Sequence, residues 1–248
     1  MTKGCIYYTN NAPEEKLFLT CQKQLNKCME IHKFPIYAIS QKPINFGINI
    51  VMNLESSVLS LVKQVVRGLE ECKTDIVFFL EHDVIYHPSH FEFTPEKDNY
   101  FYYNRNFWNV SSIDGKAVYY LHNDLSQMCA KRSLFLKHFH KVLESMQRDG
   151  FQRRWGFSPP KMLPPEQRVG HYAVFRSEFP NVNIRHPQAF TRQRMNKSEF
   201  RSDASCREWT ESDGVPGWGK TKGRFNEFLD DVWNSKLDTK YVPKIFTT

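Results

Sequence analysis

The chain has 248 residues, 40% of them hydrophobic and 25% charged, which is the make-up of a folded globular protein and excludes disordered and fibrous classes. No apolar run reaches the roughly 18 residues a spanning helix needs, and the segment Met1–Thr9 lacks the apolar core of a signal peptide. The net charge is +7, and it is unevenly placed. Residues 1–150 carry 17 Lys and Arg against 16 Asp and Glu, residues 151–224 carry 14 against 7, and residues 225–248 carry 3 against 4. Such asymmetry predicts a polyanionic partner for the 151–224 segment, such as nucleic acid or an anionic lipid surface. The six cysteines are scattered with no CxxC pair. This spacing predicts reduced thiols in a cytoplasmic enzyme rather than a disulfide framework.

In chain order, residues 4–9 read as a first strand ending in the polar pair Asn10-Asn11. Leu17, Cys21, Leu25 and Cys28 recur at helical spacing and predict a helix over 14–31. Residues 35–40 read as a second strand with a polar end at Ser40-Gln41-Lys42-Pro43. Val58, Leu59, Leu61, Val62, Val65, Val66 and Leu69 form a broad apolar face over 56–72, with Ser56 or Ser57 available as cap. The third strand is Asp75–Leu80, whose five apolar residues from Ile76 to Leu80 fit burial on both faces. It runs into Glu81-His82-Asp83. Alternating strands and helices predict a parallel sheet with right-handed crossovers. Polar strand ends near Asn10, Ser40 and Glu81 then face one crevice of the kind that binds nucleotides. Carboxylates at the tip of a central strand must be solvated, paired or holding a cation. Two of them at positions i and i+2 suit Mg²⁺ or Mn²⁺ with phosphate oxygens completing the shell.

There is no G-x-G-x-x-G after the first strand, so a dinucleotide site is not expected. Gly214–Thr221 matches the Walker A pattern formally. No apolar strand precedes it, and Pro216 removes an amide from the phosphate cradle. The milder expectation is a Gly-rich loop in which Trp218, Gly219 and Lys220 close over an anionic ligand. Residues 99–104 and 116–121 read as aromatic strands around an Asp114-Gly115 turn, a small antiparallel excursion. Leu134, Phe135, His138, Phe139, Val142 and Met146 predict a helix ended by Gly150. Residues 151–224 are punctuated by prolines and read as an irregular acceptor region containing a short strand at 182–184. A final helix spans 225–234, with Phe225, Phe228, Leu229, Val232 and Trp233 inward. His82, His87 and His90 lack a neighbouring cysteine, which argues against structural zinc.

The motifs resemble those of the GT-A class of nucleotide-sugar glycosyltransferases. In that class a D-x-D-type motif at a central strand tip holds Mn²⁺ or Mg²⁺ against the donor diphosphate; here it reads Glu81-His82-Asp83. Within the class, the order Glu81-His82-Asp83, Leu125-Ser126-Gln127, Ile184-Arg185-His186, Phe190-Thr191 and Pro216-Gly217-Trp218-Gly219 is similar to a bacterial and phage group. Some related enzymes glycosylate hydroxymethylated pyrimidines in DNA. The resemblance implies a single GT-A-like α/β domain over 1–248, with a mostly parallel central sheet. Residues 1–97 would bind the nucleotide sugar, a UDP-sugar as the resemblance has it, and 98–248 the acceptor. It implies Asp83 as the main metal ligand, with Glu81 on the ribose or a metal-bound water and His186 as a late ligand. A mixed site of this kind favours Mn²⁺. Thr9, Asn10, Ser40 and Lys42 fall where base, ribose and phosphates would lie. Arg105, Arg192, Arg194 and Lys220 are candidates to neutralise phosphate. Asp124, Glu178 and Glu208 are candidate bases for the acceptor hydroxyl, Asp124 foremost. A glycan, lipid or protein acceptor, and a non-catalytic nucleic-acid-binding module, stand as alternatives.

Overall fold

The computed structural model describes residues 1–189, 194–237, 240 and 245–246. In chain order its elements are β1 (Lys3–Thr9), α1 (Glu15–His32), β2 (Ile36–Ser40), β3 (Ile48–Val51), α2 (Val58–Glu71), β4 (Ile76–Glu81) and β5 (Val84–Ile85). These are followed by β6 (Tyr100–Asn104), β7 (Phe107–Ser111), β8 (Ala117–Tyr119), β9 (Met128–Lys131) and α3 (Arg132–Asp149). The last part holds β10 (His171–Phe175), β11 (Asn181–Arg185), β12 (Thr210–Ser212), β13 (Gly214–Val215), β14 (Gly219–Lys220), α4 (Phe225–Trp233) and β15 (Ile245–Phe246).

The fold is mixed α/β. A seven-stranded sheet runs β10-β6-β9-β4-β1-β2-β3. Strands β3, β2, β1 and β4 are parallel to one another, and β9 is antiparallel to both β4 and β6. A second sheet runs β15-β12-β8-β7-β11-β5. No described helix is long and apolar enough to cross a membrane.

The alternation of side chains along a strand explains how the first sheet is covered. Val77 and Phe79 of β4, with Ile6 and Tyr8 of β1, join α2 and α3 in one core cluster. Ile76, Phe78 and Leu80, with Cys5 and Tyr7, join Leu25 and Cys28 of α1 in another. Each fully buried apolar side chain contributes about 1.5–3 kcal/mol. The Phe79 ring stacks on Phe135 at 4.2 Å, a pair worth about 0.5–1.5 kcal/mol beyond its burial. Helix α2 is capped by Ser57, whose hydroxyl accepts from the Ser60 N–H at 3.0 Å. It lies close on the sheet, since a Cβ at Gly68 would come within 2.6 Å of Ile6 Cγ2. Helix α1 also serves the second sheet. Its Leu17 and Cys21 pack with Ile85, Trp108, Val182 and Ile184, and with Phe228, Leu229 and Val232 of α4.

Several details differ from the sequence-based expectation. The Asp114-Gly115 turn does make an antiparallel hairpin, but it joins β7 to β8, while the aromatic strand β6 enters the large sheet. Gly115 (φ +69°) sits where a Cβ would overlap the Thr221 carbonyl, so the turn accepts only glycine. Strands β3, β7, β9, β10 and β12–β14 go beyond the expected set, while the short strand expected at 182–184 is present as β11. Trp233 is not inward. It is 40% exposed, with Lys23 Nζ 3.9 Å above its ring. All six cysteines are buried and unpaired.

Candidate functional site

The carboxyl ends of β1 and β4 open onto a cavity of about 650 Å³, within the range of small-molecule sites. One wall is Tyr8, Thr9 and Asn10 from the end of β1, Gln41 after β2, and the first turn of α2 at Ser56–Val58. The β4 tip, Glu81–Asp83, forms the floor, and His122, Asn123 and Asp124 adjoin it. Arg153, Arg185, Arg194, Phe151 and Phe157 form the opposite wall. The strand ends meet there because parallel strands must all terminate on the same side of the sheet.

The deciding geometry lies at the floor. Donor atoms of His82, Asp83 and His186, one from each residue, all fall within 4.8 Å of one another. His82 Nδ1, Asp83 Oδ1 and His186 Nε2 are buried and have no hydrogen-bond partner. His186 Nδ1 lies 3.2 Å from the Gln188 side-chain oxygen. In the tautomer that donates Nδ1–H to this oxygen, Nε2 presents a lone pair. That lone pair is 3.4 Å from Asp83 Oδ2. In that tautomer two electron-rich atoms face each other, which is costly in a buried site unless a cation or a proton lies between. His82 Nδ1 is the buried ring nitrogen with no partner, available as the donor toward the cluster. Two imidazoles and a carboxylate suit Mn²⁺ and similar transition metals better than Mg²⁺.

Burial pushes the Asp83 carboxyl up, but the His82 and His186 imidazoles and the Arg185 guanidinium together outweigh it and hold the carboxyl below the usual range. Burial pulls the His82 imidazole down, and His186 adds to this, against the opposing pull of Asp83. Neutral imidazole beside ionised carboxylate is the state in which both can ligate a metal. Glu81 behaves differently. Burial first, then the Asp124 and Asp83 carboxylates, push its carboxyl well up. Its Oε1 accepts from the Tyr8 hydroxyl at 2.5 Å.

The structure therefore brings together only part of the predicted set. Thr9, Asn10, Glu81, Asp83, Asp124 and Arg194 line the cavity, and His186 joins the donor cluster at its floor. Glu81 stands outside that cluster, and His82 takes the place it was expected to fill. The period-two rule does not carry past β4, which ends at Glu81 before a turn at 82–83, so it could not foresee the place of His82. Ser40 is fully buried and its hydroxyl accepts from Asn49 at 2.8 Å, so Gln41 reaches the cavity in its stead. Lys42 is exposed, away from the cavity, with its backbone N–H on Asn11. Arg105 stands behind the wall, donating to Asn123 at 3.1 Å.

Trp218 is not in a closing loop: it is 2% exposed, and its Nε1–H donates to the Pro180 carbonyl at 2.6 Å. Gly219 and Lys220 form β14, paired antiparallel with β13 away from the cavity. Glu178 is exposed outside the cavity. Glu208 is also outside it and pairs with Arg176 at 3.5 Å. Arg192, with the Phe190-Thr191 motif, lies outside the described residues. Asp124 does reach the cavity, but as a cap. Its Oδ1 accepts from the Ser126 N–H and hydroxyl, each at 3.2 Å, and its Oδ2 accepts from Asn183 at 3.4 Å.

No protein-family model matches the chain, and no curated protein matches it in sequence. Comparison of folds finds likenesses at low identity. A glycosyltransferase involved in glycosylation of the major capsid of PBCV-1 is similar over 71% of this chain and 82% of its own, at 12% identity and a TM-score of 0.46. Drosophila beta-1,4-galactosyltransferase 7, solved with manganese, UDP-Gal and xylobiose, is similar over 61% and 63%, at 9% identity and a TM-score of 0.38. S. aureus TarS solved with UDP is similar over 75% and 61%, at 12% identity and a TM-score of 0.43. The chain spans less than two thirds of the latter two. At TM-scores below 0.5 these likenesses carry no argument, and function rests on the site itself.

Proposed function

We propose that the chain is a metal-dependent glycosyltransferase that moves a sugar from a nucleotide-sugar donor, a UDP-sugar, to a hydroxyl. The acceptor proposed is a 5-hydroxymethylpyrimidine base in DNA. The observation that carries this reading is the trio His82, Asp83 and His186, three unpartnered donor atoms at the carboxyl end of a parallel sheet, on the floor of a nucleotide-sized cavity.

In this reading His82, Asp83 and His186 hold Mn²⁺. When bound, the ion acts as Lewis acid on the diphosphate leaving group. Tyr8, Thr9, Asn10 and Gln41 line the nucleoside side. The first turn of α2 points its positive end into the same space, where phosphate is favoured. Glu81, whose carboxyl burial and the neighbouring carboxylates push up, is a hydrogen-bonding group rather than a ligand. On the acceptor side Arg153, Arg194 and Phe157 present cations and an aromatic face, the chemistry that holds nucleic-acid phosphates and bases. These residues belong to the segment with 14 basic against 7 acidic residues.

The test is a transfer and hydrolysis screen of nucleotide sugars with Mn²⁺, against plain DNA, hydroxymethylated DNA and glycan acceptors. The expected result is sugar transfer to hydroxymethylated DNA alone, with acceptor binding that weakens steeply with salt. Transfer to a glycan without salt dependence would replace the acceptor. Absence of any melting-temperature shift with UDP and Mn²⁺ would remove the donor site.

A further inference from the structure

His122 was not among the expected site residues, yet it lines the same cavity as Asp83. Its Nδ1 lies 3.0 Å from the Tyr120 carbonyl. A carbonyl only accepts, so Nδ1 carries the proton and Nε2 holds the lone pair in the neutral ring. The ring cannot easily turn. It stacks on Tyr120 with centroids 4.2 Å apart and 18° between planes, and the Phe107 edge meets it at 4.6 Å. Nε2 is 3.9 Å from Asp124 Oδ2, too far for a hydrogen bond but close enough to favour a positive charge on the ring. Asp124 is itself pinned by Ser126 and Asn183. The Tyr120 carbonyl on Nδ1 is thus the orienter, and it leaves Nε2 as the base atom that proton abstraction needs.

We propose that His122, not Asp124, is the catalytic base that deprotonates the acceptor hydroxyl, positioned by the Tyr120 carbonyl and with Asp124 as the nearby negative charge. The step rests on the transferase reading above. As the acceptor oxygen bonds to the anomeric carbon, its proton passes to His122 Nε2. The bond from that carbon to the diphosphate oxygen breaks, and its electron pair leaves with the diphosphate. The imidazolium is stabilised by the Asp124 carboxylate and returns its proton to solvent. A single displacement of this kind inverts the anomeric centre.

The charged groups facing His122 are Asp124, which favours the protonated ring, and Arg185 and Arg194, which oppose it. Burial outweighs them and draws the imidazole below its ordinary value of 6.5. The neutral, base-competent form therefore prevails at neutral pH.

The test compares His122→Ala and His122→Gln with the wild type, using nucleotide sugar, Mn²⁺ and the acceptor found in the screen. Expected is a fall in kcat of about 10²–10⁴-fold in both variants, with the melting-temperature shift on adding UDP and Mn²⁺ unchanged. The rate limb that climbs with pH below the ordinary imidazole value disappears, added imidazole partly restores H122A, and the product is inverted. Wild-type kcat in either variant, a lost rate with the pH limb intact and no imidazole rescue, or a retained anomer would each overturn the proposal. If the wild type moves no sugar but still binds UDP with Mn²⁺, the transferase reading fails first, and this proposal falls with it.

Discussion

Ile184 donates its backbone N–H to the Asp83 carbonyl at 2.8 Å. This bond extends the β5–β11 ladder, in which Val182 faces Ile85 and Asn183 faces Val84. Register here decides whether there is a site at all, because a slip of one residue would turn every side chain of β11 to the opposite face. In the observed register His186, just past the strand, is set against Asp83 across two sheets. Sites held by strand register are more precise than sites held by loops alone.

If the trio binds a divalent ion, Asp83→Asn abolishes stabilisation by Mn²⁺. In the wild type, Mn²⁺ at about 100 times its Kd raises stability by about 2.7 kcal/mol. Glu81→Gln keeps that stabilisation, because Glu81 stands apart from the donor trio and its carboxyl is pushed well up. Differential scanning fluorimetry with and without Mn²⁺ separates the two variants. Equal loss in both would return Glu81 to the metal.

Gln188 meets His186 Nδ1 at 3.2 Å through its side-chain oxygen. Groups that orient a ligating imidazole typically contribute 10- to 100-fold to metal affinity. Gln188→Ala is expected to weaken Mn²⁺ binding by about that factor, read by titration calorimetry, with the metal-free melting temperature unchanged because the side chain is exposed.

Acid should destabilise the protein through His90 and His138. Burial pulls each imidazole down to about 3 from an ordinary value of 6.5. Above 6.5 both folded and unfolded states are neutral at these rings and nothing is lost. Between 6.5 and about 3 the unfolded state takes up protons that the folded state refuses. Stability then falls by as much as about 1.4 kcal/mol per pH unit for each ring. His138→Leu should reduce that slope by one proton, as measured by urea unfolding at pH 7, 6 and 5. An unchanged slope would show that His138 titrates normally.

Trp218→Ala should cost about 3–5 kcal/mol of stability, the usual range for emptying a buried tryptophan site. It should leave the affinity for UDP with Mn²⁺ unchanged in the folded fraction. Urea unfolding measures the first effect and calorimetry the second. Weakened UDP binding in a stable variant would restore the closing-loop expectation.

Much of the fold was legible because burial leaves a period in the sequence. The α2 face and the apolar run of β4 each carry an unambiguous one. Strands β9 and β10 carry little signal. The four residues of β9 are too short to show alternation, and β10 takes part in the sheet edge with Tyr172 and Val174 both about half exposed. At the site, the acids of Glu81-His82-Asp83 drew attention away from the histidine between them. The turn that rotates His82 toward Asp83 is a tertiary event that no local pattern announces. The apparent phosphate loop at 214–221 misled for a related reason. Its glycines serve a hairpin that seats an indole in the core, and the same residue types suit either task.

Helix α1 places its N-terminal half, with Leu17 and Cys21, in the core of the small sheet and its C-terminal half, with Leu25 and Cys28, in the core of the large one. Neither sheet can detach without stranding half of that helix in water. The two sheets should consequently melt in a single cooperative transition, and a hydrogen-exchange map would find α1 among the last segments to open.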